Sequence, residues 1–501
     1  MVKRFLGSFM LGWFRVAQRA ADASAWLKAV IIALLLLAEA FVGLAVVGRL
    51  PLPLPLPPTV LMLAPLALCL VALFLLHFES GIAVTVLAFL SPLTVFSFAS
   101  FSFGVMPFLV VLLFALYLAR AVVKERRFAL GAPGALPLLL LVGVSIASVA
   151  YAYIAQDPRV PRGREWSQGH WWVGYQAMGV FLFAYTWVVY VVAANGLRSK
   201  GWLWAVYGCA LVVCTYVVVI PLPGYVAAFR GFGQLLSGER LTESASGTAA
   251  MLLALLSLAL LLYVRRPVVR LVAGLLLALA LLNLVLSYFL NTWLGFLAGA
   301  AVLILKRSKR VFLIWLVVLL IAAVLGAELF LLIYQDRFKD PQQGDMLRLE
   351  IWRDTLRVWQ KRPLIGVGNA NLAAHFLVYG TGQTPGRILR GKSAHPHNIY
   401  LGILAENGLL GLACMLWLIA VFVRSLWRSM DNVDDEELQG LAAGGLAVFV
   451  AGATTALFAS GLLPIYSAGG AGPENVNGMV FTWIIYGLGV AATRVERWMS
   501  A

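Results

Sequence analysis

The sequence predicts an all-α integral membrane protein, with about 12–14 transmembrane helices and one large external loop containing amphipathic helices. Three observations predict it. Apolar residues fill 62% of the 501 positions and charged ones only 12%, and the mean hydropathy is +0.91, far above that of a soluble globular chain. Several runs approach or exceed the roughly 20 apolar residues that a helix needs to cross a bilayer while satisfying its own backbone. The basic residues come in short clusters between those runs, which is the pattern of membrane topology. A transmembrane barrel would need alternating strands, and the sequence does not alternate in that way.

Residues 1–26 read as a basic, partly amphipathic cytoplasmic leader, followed by an uncleaved anchor because no small-residue cleavage site follows it. Spans are expected near 27–48, 59–77, 81–98, 104–122, 136–155, 171–194, 202–220, 247–264, 271–290, 292–305, 311–334, 398–423, 439–465 and 479–493. About 11 of these form a bundle over residues 27–334, and about three more follow within 398–501. The run "PLPLPLPP" at 51–58 separates the first two, since successive prolines deny the backbone its helical donors. Cys69, Cys209, Cys214 and Cys414 all lie in apolar stretches and suggest packing rather than disulfides or a metal site. The net charge of +16 points to membrane sidedness, with no nucleic-acid partner implied.

With both ends in the cytoplasm, "RAVVKERR", "LRSK", "RRPVVR", "KRSKR" and "RVERW" fall on one side. Of the 38 Lys and Arg residues, 22 then lie inside and 16 outside, and 10 of those 16 sit in residues 335–397. Long translocated segments escape the positive-inside rule. This segment is therefore expected to be the external loop, which also carries 5 acidic residues and His375, His395 and His397. Its charge suits either an anionic ligand such as a lipid-borne phosphate or unspecific contact with headgroups.

Within it, "DMLRLEIWRDTLRVWQKRP" reads as an amphipathic helix ending at Pro363. Glu350, Arg353, Asp354, Arg357 and Lys361 share one face, and Leu347, Ile351, Trp352, Leu356, Val358 and Trp359 cover the rest. Arg348 falls among the apolar residues, where it either meets a partner or ligand or snorkels to water. A second external element, residues 227–249, places Arg230 and Arg240 among glycines and hydroxyl residues. There they either grip a phosphate or anchor the loop at the interface. The Gly366-Val367-Gly368 pattern follows a helix and lacks the strand context of a nucleotide loop.

"LRLEIWRDTLRVWQKRPLIGVGNANL" and "HPHNIYLGILAENGLLGL" strongly resemble the signature region of the O-antigen ligase and O-antigen polymerase family of bacterial envelope glycosyltransferases. In that family an arginine and a tryptophan open an external helix, a Pro-x-x-Gly-x-Gly turn follows, and His-Asn-x-x-Leu precedes Glu-x-Gly-x-x-Gly in the next membrane helix. The match covers residues 347–412. "ERLTES" around Arg240 is similar to the family's arginine-containing turn. Where many relatives have a Ser-Arg-Gly turn this chain has "LNTWLG", so that arginine's role is missing or falls to another residue such as Arg230.

The resemblance implies a multi-pass protein of the bacterial inner membrane whose catalytic loop is periplasmic. It implies transfer of a glycan from a polyprenyl-diphosphate carrier to an acceptor hydroxyl, with no metal and no cofactor. The acceptor is another glycan or the lipid A core, and a chain-length regulator is a further partner. His397 matches the family histidine and is expected to take the acceptor's proton, with His395 its local rival. Arg348, Arg240 and Arg230 are expected at the diphosphate, and Asn398, Trp352 and Glu406 in support, Glu406 through a hydrogen bond to another helix. No external carboxylate stands out as a nucleophile, so a single inverting displacement is expected, with Asp345 and Glu350 left open.

Ligase, polymerase and protein oligosaccharyltransferase share this motif, and the chain's length and span number lean toward a polymerase. A transporter or flippase of anionic lipid-linked substrates is the rival from another class. It would place charges deep in the spans and repeat its halves; Glu39 and Glu328 are the few such charges, and no repeat is visible.

Overall fold

The computed structural model describes residues 78–91, 94–98, 101–121, 131–155, 157–161, 172–231, 244–339, 345–382, 384–389, 395–459, 462–463 and 473–499. The basic leader, the spans expected near 27–48 and 59–77, the proline run and Arg240 lie outside these residues. The chain divides into two compact units, residues 1–85 with 108–128 and residues 86–107 with 129–501.

Helices α1 (Phe78–Leu87) and α2 (Val105–Arg120) supply the described part of the first unit. There the rings of Phe78 and Tyr117 lie 6.1 Å apart. The span expected over 81–98 is not one helix. After Leu87 a single 3-10 turn leads into an antiparallel hairpin, β1 (Thr94–Phe98) and β2 (Phe101–Gly104), in which Ser97 pairs with Ser102. Its sequence, "TVFSFASFSFG", is as apolar as a span, but phenylalanine and serine alternate with period two, and Pro92 precedes it.

The second unit is otherwise helical. It contains α3 (Ala135–Ile154), α4 (Trp172–Gly196), α5 (Lys200–Val219), the short α6 (Leu222–Ala228), α7 (Ser244–Tyr263), α8 (Pro267–Ser287), α9 (Leu290–Arg307) and α10 (Lys309–Lys339). The loop helices α11 (Asp345–Trp359), α12 (Leu372–Tyr379) and α13 (Thr384–Leu389) follow, then α14 (Ile399–Ser429), α15 (Glu436–Thr455) and α16 (Pro473–Met499). Ten helices among the described residues are long and apolar enough to cross a membrane. The protein is an all-α integral membrane protein with one small hairpin.

Small residues let the central helices close on one another, as expected where lipid gives helices no hydrophobic reason to associate. Gly445 of α15 and Gly489 of α16 touch backbone to backbone, and Gly295 and Gly299 of α9 face Thr455 and Ala447 of α15. Beside them Phe422 of α14 stacks on Phe449 of α15 at 3.9 Å, with Trp483 and Tyr486 of α16 set edge-on to Phe449. By contrast α10 exposes Leu313, Ile314, Leu320, Val324 and Leu325, the composition of a helix surrounded by hydrocarbon.

Four of the five basic clusters gather at one end of the bundle. Lys200 pairs with Asp435 at 2.5 Å and Glu437 at 2.9 Å, Arg266 with Glu437 at 2.6 Å, and Lys306 with Asp431 at 2.6 Å. Arg494 donates to Asn195 Oδ1 at 2.9 Å. The α14 helix runs from that end to the other, where the N–H of Ile399 donates to Ala456 O at 2.9 Å, just past α15. Residues 345–398 connect at this second end.

Candidate active site

The segment after α11 is locked into a break in α14. Gly408 has φ +68° and ψ −167°, which interrupts the helix and leaves backbone groups on either side without helical partners. The turn at 363–368 supplies them. Leu409 and Leu410 donate to Pro363 O at 2.8 Å and Leu364 O at 3.2 Å, while Val367 and Gly368 donate to Ala405 O and Glu406 O, both at 3.0 Å. The approach is so close that a Cβ on Gly366 would collide with the carbonyl of Glu406, and one on Gly408 with that of Leu364. Both glycines also have positive φ, the region that side chains disfavour. The two glycine motifs are thus halves of one joint.

Polar side chains complete it. Ser148 of α3 donates to Glu406 O at 2.5 Å, and Asn407 Nδ2 donates to Asn369 Oδ1 at 2.8 Å, with Asn369 in turn donating to Ser145. The carboxylate of Glu406 accepts backbone N–H groups from Ala370 and Leu372. Its side chain therefore sits at the N-terminus of α12. The expected bond to another helix is made to this end of it.

The α11 helix lies over this joint. Leu347, Ile351 and Val358 pack with Val367, Leu372, Phe376 and Ala405 in one apolar cluster. The charged face expected on α11 is corrected at Asp354, which is fully buried. Its carboxylate accepts from Thr381 N and Thr381 Oγ1, both at 3.0 Å, and from Arg357 at 2.8 Å. Helical periodicity put Asp354 on the polar side because its partner lies in a loop that pattern reasoning does not see. Glu350 accepts from Thr384 N at 3.3 Å, tying down the start of α13 one turn along.

The histidine turn, residues 395–398, meets α11 through Trp352, whose indole N–H donates to Pro396 O at 2.6 Å. Arg348 is half-buried and lies one helical turn before Trp352, a spacing of about 6 Å along the axis that shares a face. Asn398 caps α14, its Oδ1 accepting from Leu401 N at 3.0 Å. Pro396 and His397 immediately precede that cap, so His397 stands at the beginning of α14 but outside its first turn. His397 is exposed, with φ +49°.

His395 lies behind it, buried, with Nδ1 accepting from His397 N at 2.9 Å. An accepting Nδ1 carries no proton, so a neutral His395 has its proton on Nε2. Burial and the neighbouring His397 push its pKa down to about 3. His375 is also buried, 3.0 Å from Asn371 O through Nδ1, and burial holds its pKa down at about 4. A carbonyl can only accept, so here Nδ1 donates.

The structure thus brings His395, His397, Asn398, Trp352 and the Arg348 face of α11 to one end of the bundle. Glu406 belongs to the joint beneath them. Arg230 is exposed after α6. Sequence reasoning missed the joint-forming Ser145, Ser148 and Asn369, and the anchor Asp354. The two Gly-x-Gly-like motifs were the signal available for the joint. Among the described residues no group of three His, Cys, Asp or Glu side chains is placed to hold a metal ion.

Residues 275–416 match the family model described as O-antigen ligase. That stretch includes α9 to α13 and the first half of α14, and so contains the histidine turn, α11 and the glycine joint. The match supports assigning the chain to the O-antigen ligase and polymerase family. No curated protein matches the chain.

Proposed function

We propose that this protein, whose O-antigen ligase domain supports a role in membrane glycan ligation or polymerisation, moves a glycan from a polyprenyl-diphosphate carrier to an acceptor hydroxyl. The observation that carries the reading is the hydrogen bond from Trp352 to Pro396 O. It sets the face of α11 that bears Arg348 against the turn that bears His397.

His397 accepts the acceptor hydroxyl's proton while that oxygen bonds to the anomeric carbon. The bond from that carbon to the diphosphate oxygen breaks, and the lipid diphosphate leaves with the added negative charge. Arg348 holds that charge with its forked donors, and Arg240 and Arg230 serve the same anion from the loop between α6 and α7. Guanidinium groups take the place that a metal ion holds in other diphosphate sites, so the scheme needs no cofactor. His395, through Nδ1, and Asn398, as the cap of α14, fix the backbone on either side of His397.

The donor arrives from the bilayer and its headgroup must reach the end of the bundle opposite the basic clusters. Under the positive-inside rule that end is periplasmic and the membrane is the bacterial inner membrane. Residues 335–397 are then the catalytic loop, between the bundle of 27–334 and the C-terminal spans of 398–501. The acceptor is a second carrier-linked glycan or the lipid A core.

The test is the length profile of surface and carrier-linked glycan in cells whose only copy carries His397→Ala at normal abundance. Single repeats would mark a polymerase, and long chains stranded on the carrier a ligase. An unchanged profile would remove His397 from the reaction.

A further inference from the structure

A second cationic group lies toward the other end of α11. From Arg348 to Trp359 the helix advances about 17 Å, and Lys361 and Arg362 follow at its end. Lys361 Nζ is 4.9 Å from the ring centroid of Tyr379, and the Arg159 guanidinium is 5.3 Å from the same centroid. The two charges are thereby held within about 10 Å, one Debye length at 0.1 M salt. Arg362 lies 5.1 Å over Tyr151 and donates to Ala155 O at the end of α3.

Asp157 is the carboxylate of this group. It accepts from Arg159 Nε at 3.2 Å and from the Tyr379 hydroxyl, and Arg159 donates to that hydroxyl at 2.6 Å. Those contacts hold its carboxyl well below the usual range. Among the described residues neither Lys361 nor Arg362 has a carboxylate partner. Three positive charges are thus set against one negative.

The depth of the group is fixed by α3. That helix is a candidate span, and its last turn exposes Tyr151, Tyr153 and Ile154, an aromatic and apolar rim of the kind found where hydrocarbon meets headgroups. Arg159 and Lys361 stand just beyond that rim.

We propose that Arg159, Lys361 and Arg362 form a second phosphate site at headgroup level, which takes the phosphate of a lipid-borne acceptor while Arg348 serves the donor. This rests on the transfer reading above. Transfer between two lipid-linked glycans, or onto a phosphorylated glycolipid, must hold two lipid phosphates at the same depth at once. One phosphate does not reach both ends of α11. Aromatic rings under the cations favour the site further, because they hold cationic side chains in place without neutralising them.

The test uses the full chain in phosphatidylcholine nanodiscs, titrated with bisphosphorylated lipid A, its dephosphorylated form, and phosphatidylglycerol. The expected result is preference for the bisphosphorylated form. Lys361→Gln should weaken its binding about fivefold, the effect of one cation at a membrane surface, and Lys361→Arg should restore it. Equal binding by the wild type and Lys361→Gln overturns the site. Phosphatidylglycerol bound as tightly as lipid A, and lost in parallel, overturns the acceptor assignment in favour of bulk headgroups. His397→Ala should bind lipid A as the wild type does, so a failure of the catalytic reading shows separately, as glycan transfer that survives that change.

Discussion

The backbone N–H of His397 donates to Nδ1 of His395 at 2.9 Å, and the two rings lie 5.3 Å apart, nearly perpendicular. The buried histidine thus holds the turn on which the exposed one stands. Protonation of His395 would remove the acceptor and place a charge beside His397.

Acid sensitivity follows from this pair. The pKa values of His395 and His375 are lowered by burial from 6.5 to about 3 and about 4. Between those values and 6.5 the unfolded chain binds more protons than the folded one. The stability that these histidines contribute is therefore complete above pH 6.5 and is lost as pH falls. The limiting slope is about 1.4 kcal/mol per pH unit for each histidine. Thermal unfolding in detergent, followed from pH 7 to pH 4.5, should show a falling Tm, and His395→Gln should flatten the curve. An equal slope in that variant would clear His395 of the effect.

The Trp352 to Pro396 bond predicts a split between binding and chemistry. Trp352→Phe keeps the ring but loses the donor, at a cost of about 1 kcal/mol, and should lower kcat about tenfold with little change in the donor KM. Arg348→Lys keeps the charge but loses the fork, and is expected to act on the leaving group, lowering kcat about 100-fold. Purified enzyme with a defined carrier-linked donor measures both. If Trp352→Phe raised only KM, the indole would be part of a binding surface and would not position His397.

Metal removal bears on the same chemistry. With guanidinium groups at the leaving diphosphate, EDTA should leave the transfer rate within about twofold, whereas a metal-assisted displacement would lose several kcal/mol of charge stabilisation. A collapse restored by Mg²⁺ or Mn²⁺ would assign the diphosphate to a cation and reduce Arg348 to a supporting role.

Much of this was legible in the sequence because the membrane writes its demands in long uniform runs. The fold class follows from composition and run length alone. The stretch over Thr94–Gly104 was misread because apolar content does not distinguish a span from a hairpin whose phenylalanines alternate with serines. The polar cluster at His395–Asn398 stands out in the sequence and the resemblance picks His397 from it, but its exact relation to the helix depends on Asn398 being the cap, which puts His397 outside. Asp354 shows the limit of periodicity. Its partner Thr381 lies 27 residues away, and no local pattern announces that a carboxylate on the polar face of α11 will be covered by it. Arg348, which stood out in the sequence because it falls among apolar residues, is half-buried one turn before Trp352.

The joint between the 363–368 turn and the break in α14 gives the last prediction. Gly366→Ala and Gly408→Ala each place a methyl against backbone, which cannot move as a side chain would, at a residue with positive φ. The left-handed conformation alone costs about 1 kcal/mol in a non-glycine residue, and overpacking adds about 1–3 kcal/mol. Gly231→Ala is the internal control, since Gly231 has φ +107° but nothing within 4 Å of an added Cβ. The two joint variants should therefore lower the detergent Tm much more than Gly231→Ala does. Because α11 and the histidine turn both rest on the joint, they should also lose transfer activity under conditions where the bundle remains folded. Equal Tm losses in all three would mean that only backbone strain is being measured, and that the close packing at the joint contributes nothing of its own.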